Sequence, residues 1–293
     1  MHIYTHSEKI IKMRREILDL LFSNHPNDCL NCDKSGKCKL QNYCYEYGIS
    51  QGSYKGEVGE ISVDSSNKFF TYDAAKCIKC GICVSVCNNL QNSHAISFLN
   101  RGFDSYIGAP MDQGFGDSDC VSCGNCVSAC PVGALNPKKR YSEDKFRYWE
   151  VKRTQTTCSY CGVGCQMNLL TKGNRIVEVE PVNTIPNDAL LCVKGKFAQK
   201  FVNHPDRLTK PLIKKKGEFV EASWQEAYRL IKEKYDQIMQ SKGPDAFGGF
   251  SSARCTNEEN YLFQKFIRTV FRTNNVDHCA RLCHASTVAG LAN

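Results

Sequence analysis

Two cysteine runs of identical spacing constrain the fold of this chain more than any other feature. Each has the pattern C-x2-C-x2-C-x3-C, and Pro131 follows the second. The first run contains Cys77, Cys80, Cys83 and Cys87, and the second contains Cys120, Cys123, Cys126 and Cys130. Three sulfurs on a short loop can converge on one [4Fe–4S] cubane, whereas the fourth sulfur, on a following helix, reaches the other cubane. We therefore expect one cluster on Cys77, Cys80, Cys83 and Cys130, and the other on Cys120, Cys123, Cys126 and Cys87.

The same spacing occurs in bacterial ferredoxins that hold two [4Fe–4S] clusters, and residues 67–145 resemble that family. A pair of zinc sites or a disulfide knot is the alternative for these thiols. Because each run donates one ligand to the cluster of the other, neither half of this internal repeat is expected to fold alone. The repeat indicates a protein that transfers electrons.

A third set of candidate ligands follows a predicted N-terminal helix over 7–22, for which Ser7 is the expected N-cap. The set has the pattern H-x3-C-x2-C-x5-C and contains His25, Cys29, Cys32 and Cys38. In isolation such a set suits zinc as well as iron. Its place in a predicted domain of residues 1–66, just before the ferredoxin-like region, favours another [4Fe–4S] cluster. For His25 alone, the alternative is a helix-terminating residue beside Pro26.

A fourth set has the pattern C-x2-C-x3-C-x26-C, and its wide last gap places the final ligand on a separate loop. It contains Cys158, Cys161, Cys165 and Cys192, within a predicted domain of residues 150–207. Between the third and fourth cysteines, residues 167–180 alternate in polarity and predict a β-hairpin. A zinc ribbon is the alternative for this set.

Composition indicates the cellular compartment and argues against a nucleic-acid partner. Fifteen of the nineteen cysteines belong to the four sets, which suggests a reducing, cytoplasmic location where thiolates stay available. The formal charge of +8 counts every thiol as neutral. Four bound clusters would contribute about −7, so a nucleic-acid partner is not expected, and 214–216 (KKK) is interpreted as a solvated loop. No apolar stretch approaches the ~20 residues of a transmembrane helix.

From residue 208 onward the pattern predicts an ordinary α/β domain over 208–293. Capping boxes at Ser223/Glu226 and Thr256/Glu259 predict helices to about 239 and 272. Strands are expected at 245–251 and 275–278. A β-α-β unit that stops there cannot cover its own sheet, so the sequence is expected to be a piece of a longer protein. The whole chain is predicted to be α+β, with serial iron–sulfur domains before the start of an α/β domain and a linker at 51–66.

The fourth set brings a specific resemblance. The segments TCSYCGVGCQMNL (157–169) and LCVKGKF (191–197) resemble the [4Fe–4S] domain that opens molybdopterin oxidoreductases. In that family the lysine two places after the last ligand lies between cluster and pterin and helps electrons cross. Lys194 occupies this place, and a plain surface lysine is the alternative.

A second segment resembles one particular group within the molybdopterin oxidoreductases. NVDHCARLCHASTVAGL (275–291) resembles the segment of molybdenum- and tungsten-dependent formate dehydrogenases in which a metal-bound cysteine or selenocysteine precedes a histidine. Cys283 and His284 match this pair, whereas nitrate reductases of the superfamily tend to have methionine after the cysteine. A packed helical cysteine is the alternative for Cys283. No role is assigned to Cys44, Cys255 or Cys279.

Taken over the whole chain, the resemblance to the catalytic α subunit of formate dehydrogenases implies the following chemistry. Formate is oxidised to CO2 at a molybdenum or tungsten bis(molybdopterin guanine dinucleotide) centre. Electrons pass along four [4Fe–4S] clusters to a partner, which is a flavin/NAD diaphorase subunit, ferredoxin or a hydrogenase. A stand-alone electron-transfer protein is the alternative. The [FeFe]-hydrogenases share the histidine-containing set and the ferredoxin domains but then carry cysteine motifs that are absent here. The large subunit of respiratory complex I has the histidine-containing set and a later four-cysteine set but generally lacks the ferredoxin pair between them.

Overall fold

The computed structural model describes residues 2–56, 63–138 and 146–292. Parts of the predicted linker (57–62) and of the end of the ferredoxin-like region (139–145) lie outside the described residues. The chain forms two compact units, the first made of 1–157 and 165–203 and the second of 158–164 and 204–293. Among the described helices, none combines the length and apolar character needed to cross a membrane.

The first unit is a series of short helices and strands. Its helices are α1 Glu8–Ser23, α2 Lys39–Glu46, α3 Ile82–Ser85, α4 Asn125–Ala129 and α5 Val193–Phe197. Its strands are β1 Phe70–Tyr72, β2 Ser97–Leu99, β3 Tyr106–Gly108, β4 Leu135–Pro137, β5 Lys152–Thr157, β6 Gln166–Lys172 and β7 Arg175–Pro181. A π-type turn, Val86–Leu90, continues α3, and 3-10 turns occupy Ala74–Lys76, Gly102–Asp104, Pro110–Asp112 and Gln199–Asn203.

The cysteine repeat is closed by pairing between its two ends. Strand β1 pairs antiparallel with β4, and β2 pairs antiparallel with β3. Phe70, Ile107, Val132 and Leu135 are each only 1% exposed. These residues form a single hydrophobic core together with side chains of both cysteine runs and of α2. Because the two cysteine runs share one core, the fourth cysteine of each run can lie close to the loop of the other run.

Helix α1 begins where the sequence predicts. The Ser7 hydroxyl accepts a hydrogen bond from the Ile10 N–H at 3.4 Å, which satisfies one of the free donors of the first turn. Leu18, Leu21 and Phe22 of α1 pack against the shared core. The helix ends at Ser23, two residues before His25, so that His25 lies beyond the helix rather than within it.

A three-stranded antiparallel sheet completes the first unit, in the order β5-β6-β7. The predicted hairpin over 167–180 is confirmed, since Lys172 pairs with Arg175 around a two-residue turn at Gly173 and Asn174. Leu170 and Val177 are fully buried beneath Phe146 and Tyr148. Helix α5 follows this sheet directly after Cys192.

The second unit contains a hairpin and a β-α-β segment. Its helices are α6 Trp224–Lys242, α7 Asn257–Phe266, α8 Ala280–Cys283 and α9 Ala285–Ala292, with turns at Pro244–Ala246 and Ile267–Phe271. Its strands are β8 Leu212–Lys215, β9 Glu218–Glu221, β10 Gly249–Ser251 and β11 Val276–His278. Strands β8 and β9 pair antiparallel, whereas β10 and β11 pair in parallel.

Both capping boxes are confirmed, at Ser223/Glu226 and Thr256/Glu259. Two other predictions need correction. The strand expected at 245–251 is only β10, because the proline after Gly243 starts a 3-10 turn over Pro244–Ala246. The segment 214–216 is exposed but is not all loop, since Lys214 and Lys215 end β8 and pair with β9.

Candidate iron–sulfur and metal sites

The first cavity of the cysteine repeat combines ligands from both runs. Its lining includes three cysteines of the first run and one of the second, namely Cys77, Cys80, Cys83 and Cys130. Apolar side chains such as Tyr72, Ile107 and Leu135 complete the wall. This is the arrangement that the crossed assignment requires, and ligation itself stays a prediction.

The second cavity has the reciprocal lining. The cysteines that line it are Cys120, Cys123, Cys126 and Cys87. Cys87 reaches it from the π-type turn after α3, whereas the other three belong to the loop and first turn of α4. Among residues 2–56, 63–138 and 146–292, no three or more His, Cys, Asp or Glu side chains are grouped so as to hold a single metal ion.

The two loops have the same backbone conformation at equivalent positions. Lys79 and Ser122 precede the second cysteine of each run and have φ of 55° and 54°. Gly81 and Gly124 follow it with φ of 73° and 74° and form the N-caps of α3 and α4. These left-handed residues curl each loop around its cavity, so that the Lys79 N–H, for example, donates to the Cys77 Sγ at 3.4 Å.

Electrostatics indicate which kind of group the two cavities suit. Burial, together with the neighbouring Cys77, Cys130 and Cys80, raises the pKa of the Cys83 thiol to about 12. Burial also raises the pKa of Cys126 far above its usual range, with the other cysteines of its cavity adding to the effect. Thiolates so close together need a cationic group, and coordination to iron deprotonates a thiol outright. The donor sets therefore fit a positively charged iron–sulfur core.

In the histidine-containing set, the Nε2 atom of His25 is suited to bind a metal. The His25 Nδ1 lies 3.0 Å from the Pro26 carbonyl oxygen, which favours the tautomer with its proton on Nδ1. The opposite nitrogen, Nε2, is buried without a hydrogen-bond partner among the described residues. Burial lowers the pKa of His25, which favours the neutral form that binds metals. Cys32 and Cys38, the nearby thiols of this set, are both buried.

This set adjoins the first cavity. The Lys39 N–H, directly after Cys38, donates to the Pro131 carbonyl, directly after Cys130, at 2.8 Å. A Cβ atom on Gly133 would lie 2.6 Å from the Cys32 Sγ, so only glycine allows this approach. An ion pair of 2.9 Å joins Lys76 to Asp28 in the same region.

The second cavity adjoins the loop that precedes Cys192. The Asn125 side chain, which is 3% exposed, accepts a hydrogen bond from the Leu191 N–H at 3.0 Å and donates to Gln91 at 2.9 Å. The Phe197 ring of α5 stacks on Phe69 with centroids 5.3 Å apart. The second cavity is thus tied to the segment that carries the last ligand of the fourth set.

The fourth set is divided between the two units. Cys158 and Cys161 belong to the second unit, whereas Cys165 and Cys192 belong to the first. Cys158 is buried, Cys161 and Cys192 are exposed, and Cys165 lies directly before β6. Lys194 is exposed on α5. The ligand set and the role of Lys194 stay predictions.

The predicted metal ligand of the second unit, Cys283, ends helix α8 and is exposed, as is His284. The backbone N–H groups of these two residues donate to the carbonyls of Cys279 and Ala280 at 2.9 and 3.0 Å. The Cys279 Sγ accepts a hydrogen bond from the Ala253 N–H at 3.2 Å. Metal ligation by Cys283 stays a prediction.

Several buried polar residues near these sites were not identified from the sequence. Lys34 and Lys196 are 6% and 4% exposed, and Asn125 is buried at the second cavity. Isolated lysines and asparagines in polar loops give no periodic signal. Only the approach of distant segments shows that they are buried.

Sequence models of four families match the chain in succession. The NADH-ubiquinone oxidoreductase-G iron–sulfur binding region matches residues 14–52, and a 4Fe–4S dicluster domain matches 76–134 and 119–168. The molybdopterin oxidoreductase Fe4S4 domain matches 151–204, and the molybdopterin oxidoreductase family matches 207–293.

Two curated relatives are similar along nearly the whole chain. A Bacillus subtilis (strain 168) protein named "Putative formate dehydrogenase YrhE" is 37% identical, covering 99% of this chain and 34% of the relative. The "NADPH-Fe(3+) oxidoreductase subunit alpha" of Geobacter sulfurreducens (strain DL-1 / KN400) is 36% identical, covering 97% of this chain and 33% of the relative. The chain spans about a third of the length of these relatives.

Among solved structures, a chain of an NAD+-reducing [NiFe]-hydrogenase in the H2-reduced state is 30% identical, with a TM-score of 0.43 over 45% of this chain and 57% of that chain. The family matches span all four cysteine sets and also the C-terminal β-α-β segment. The chain therefore carries the domains of the molybdopterin oxidoreductases, with serial iron–sulfur domains followed by the start of the molybdopterin oxidoreductase domain.

Proposed function

We propose that this chain is the electron-transfer and metal-ligating part of a molybdenum- or tungsten-dependent formate dehydrogenase. Its domains are those of an oxidoreductase with iron–sulfur clusters and a molybdopterin cofactor. The observation that carries the proposal is the crossed lining of the two cavities, each with three cysteines of one run and one of the other. Two adjacent cubanes in such a unit suit a relay of single electrons.

The proposed reaction converts formate to CO2, one proton and two electrons. A molybdenum or tungsten centre held by two pterin guanine dinucleotides would accept the electron pair when bound. Cys283 supplies a soft, polarizable thiolate of the kind that such a metal favours. In the proposal, His284 orients formate or takes the proton, and Lys194 helps electrons leave the pterin. The names of relatives such as the Bacillus subtilis protein support formate as the substrate.

The contacts within the first unit suggest an order for the relay. Electrons would leave the set that ends in Cys192 and reach the second cavity across the Asn125–Leu191 hydrogen bond. The first cavity follows, and the His25 set comes last, across the Lys39–Pro131 hydrogen bond. An acceptor subunit, which is a flavin/NAD diaphorase, ferredoxin or a hydrogenase, would take electrons from there.

Paired cysteine substitutions test the crossed sites. Protein reconstituted without oxygen is expected to hold about sixteen iron atoms, four for each cubane. Cys87→Ala combined with Cys123→Ala should cost only one cluster, because both residues line the second cavity. Cys87→Ala combined with Cys80→Ala is the matched control, and should cost two clusters although both residues belong to one run. The reverse pattern of iron loss would refute the crossed assignment, and zinc in place of iron would refute the relay.

The substrate is tested separately, in the protein made from the whole reading frame that contains this chain. Formate should reduce a viologen dye, and Cys283→Ala should abolish this activity without loss of iron. A specific observation favours a second candidate, since the NADPH-Fe(3+) oxidoreductase subunit is almost as similar as the formate dehydrogenase relative. Cluster reduction by NADPH with a partner subunit, and none by formate, would select that candidate.

A further inference from the structure

Lys34 is a buried cation in the loop between two predicted cluster ligands, Cys32 and Cys38. Lys34 lines a cavity of about 300 Å³ within the first unit. Four other charged residues also line this cavity, namely Lys37, Lys196, Glu178 and Glu180. Only 6% of Lys34 is exposed, and burying a lysine so fully is costly unless a negative charge compensates it.

The other charges of the cavity have partners. Glu180 forms ion pairs with Lys37 and with Arg153, the latter at 3.2 Å. The Tyr148 hydroxyl donates to Glu178 at 3.0 Å, and the Lys196 ammonium donates to the Val179 carbonyl at 2.7 Å.

Within the described part of the chain, the Lys34 ammonium has neither a hydrogen bond nor an ion pair. Among the described residues, neither carboxylate of the cavity forms an ion pair with Lys34.

Segments that carry cysteines of two different sets meet beside Lys34. The Lys34 Cβ lies 3.5 Å from the position that a Cβ on Gly133 would take, and Gly133 follows Cys130 by three residues. The Lys39–Pro131 hydrogen bond holds the Cys38 and Cys130 segments together beside it. Lys34 thus lies at the junction of the His25 set and the first cavity.

We propose that Lys34 is a positioning residue for electron transfer, whose buried charge raises the reduction potentials of the clusters in the His25 set and in the first cavity. One-electron reduction adds one negative charge to a cluster, and a nearby cation in a poorly screened interior stabilises that charge. An exposed cation would have little effect, since water and salt screen it. The proposal rests on the proposed function, because it requires both clusters.

The test uses the full chain, reconstituted without oxygen, and potentiometric titration followed by electron paramagnetic resonance. Lys34→Met should make reduction of two clusters at least tenfold less favourable, a shift of about 59 mV to more negative potential for one electron. Lys39→Met is the matched control, because the Lys39 side chain is exposed and its bond to Pro131 comes from the backbone N–H, which the substitution retains, so all potentials should stay unchanged. Lys34→Arg, which retains the charge, should restore the two potentials.

Iron content separates the possible failures. Unchanged potentials in Lys34→Met with full iron would overturn the role of Lys34 and leave the proposed function intact. Absence of clusters from the unsubstituted chain would overturn both. If Lys34→Met and Lys34→Gln lose iron but Lys34→Arg retains it, the charge is required at this junction, in agreement with the proposal. Loss of iron from Lys34→Arg as well would exclude an electrostatic role.

Discussion

At the scale of single residues, His25 has one buried ring nitrogen without a hydrogen-bond partner among the described residues. His25→Cys would place a thiolate where the neutral ring lies, which adds one negative charge to the predicted cluster. We expect the potential of that cluster to become more negative, because reduction then adds charge to a more negative group. Potentiometric titration measures this shift. His94→Cys changes an exposed histidine of the same unit and should leave every potential in place. An unchanged potential in His25→Cys would show that His25 is not a ligand.

Lys196 gives a pH dependence with a defined sign. Burial lowers its pKa from 10.5 to about 8, so in the folded protein it loses its proton at lower pH than in the unfolded chain. Between about 8 and 10.5 the unfolded state binds more protons, and this residue's contribution to stability increases with pH.

The comparison with Lys196→Met isolates this effect from the titration of the thiols. The free energy of unfolding of the natural chain should rise relative to that of Lys196→Met across this pH range, by a few times the ~1.4 kcal/mol that one pKa unit represents. Denaturant unfolding at several pH values measures the difference. A difference that does not vary with pH would contradict the lowered pKa.

At the scale of elements, a single glycine lets α5 approach the second cysteine loop. Gly124 has φ of 74°, and a Cβ there would lie 2.5 Å from the Phe197 ring. Gly124→Ala should therefore cost more than the roughly 1–2 kcal/mol of a left-handed backbone alone, and should loosen the Phe69–Phe197 stack. Gly173→Ala is the matched control, with φ of 58° and open space around its Cβ. Thermal unfolding of the iron-loaded variants tests this, and equal losses would show that the contact is unimportant.

Local signals in the sequence predict most helices and strands correctly. Residues that are buried only by distant parts of the chain are the ones that the sequence does not predict. Ser7 and the two capping boxes act within one helical turn, so their predictions are confirmed. The expected strand at 245–251 is shortened because Pro244 begins a 3-10 turn instead. Sequence spacing also predicts which cysteine of each run joins the opposite cavity, because three sulfurs fit one loop and the fourth cannot. The burial of Lys34 and Asn125 is not predicted from the sequence, because segments distant in sequence cover them.

At the scale of the whole molecule, the two units should respond differently to removal of iron. The first unit arranges its core around the cysteine loops, so chelation without oxygen should open 63–138 to amide hydrogen exchange. Helices α6 and α7 of the second unit begin with capping boxes of their own and should remain protected. Hydrogen-exchange mass spectrometry before and after chelation measures both regions. Equal loss of protection in both would contradict this division.

The exchange of one cysteine between the two loops has a consequence for biosynthesis. Filling the first cavity fixes α3 and the turn after it, and this places Cys87 for the second cavity. Filling the second fixes α4 and brings Cys130 to the first. Insertion of one cluster should therefore favour insertion of the other. When iron is limiting, we therefore expect both cavities of one chain to fill in preference to a single cavity in each of two chains.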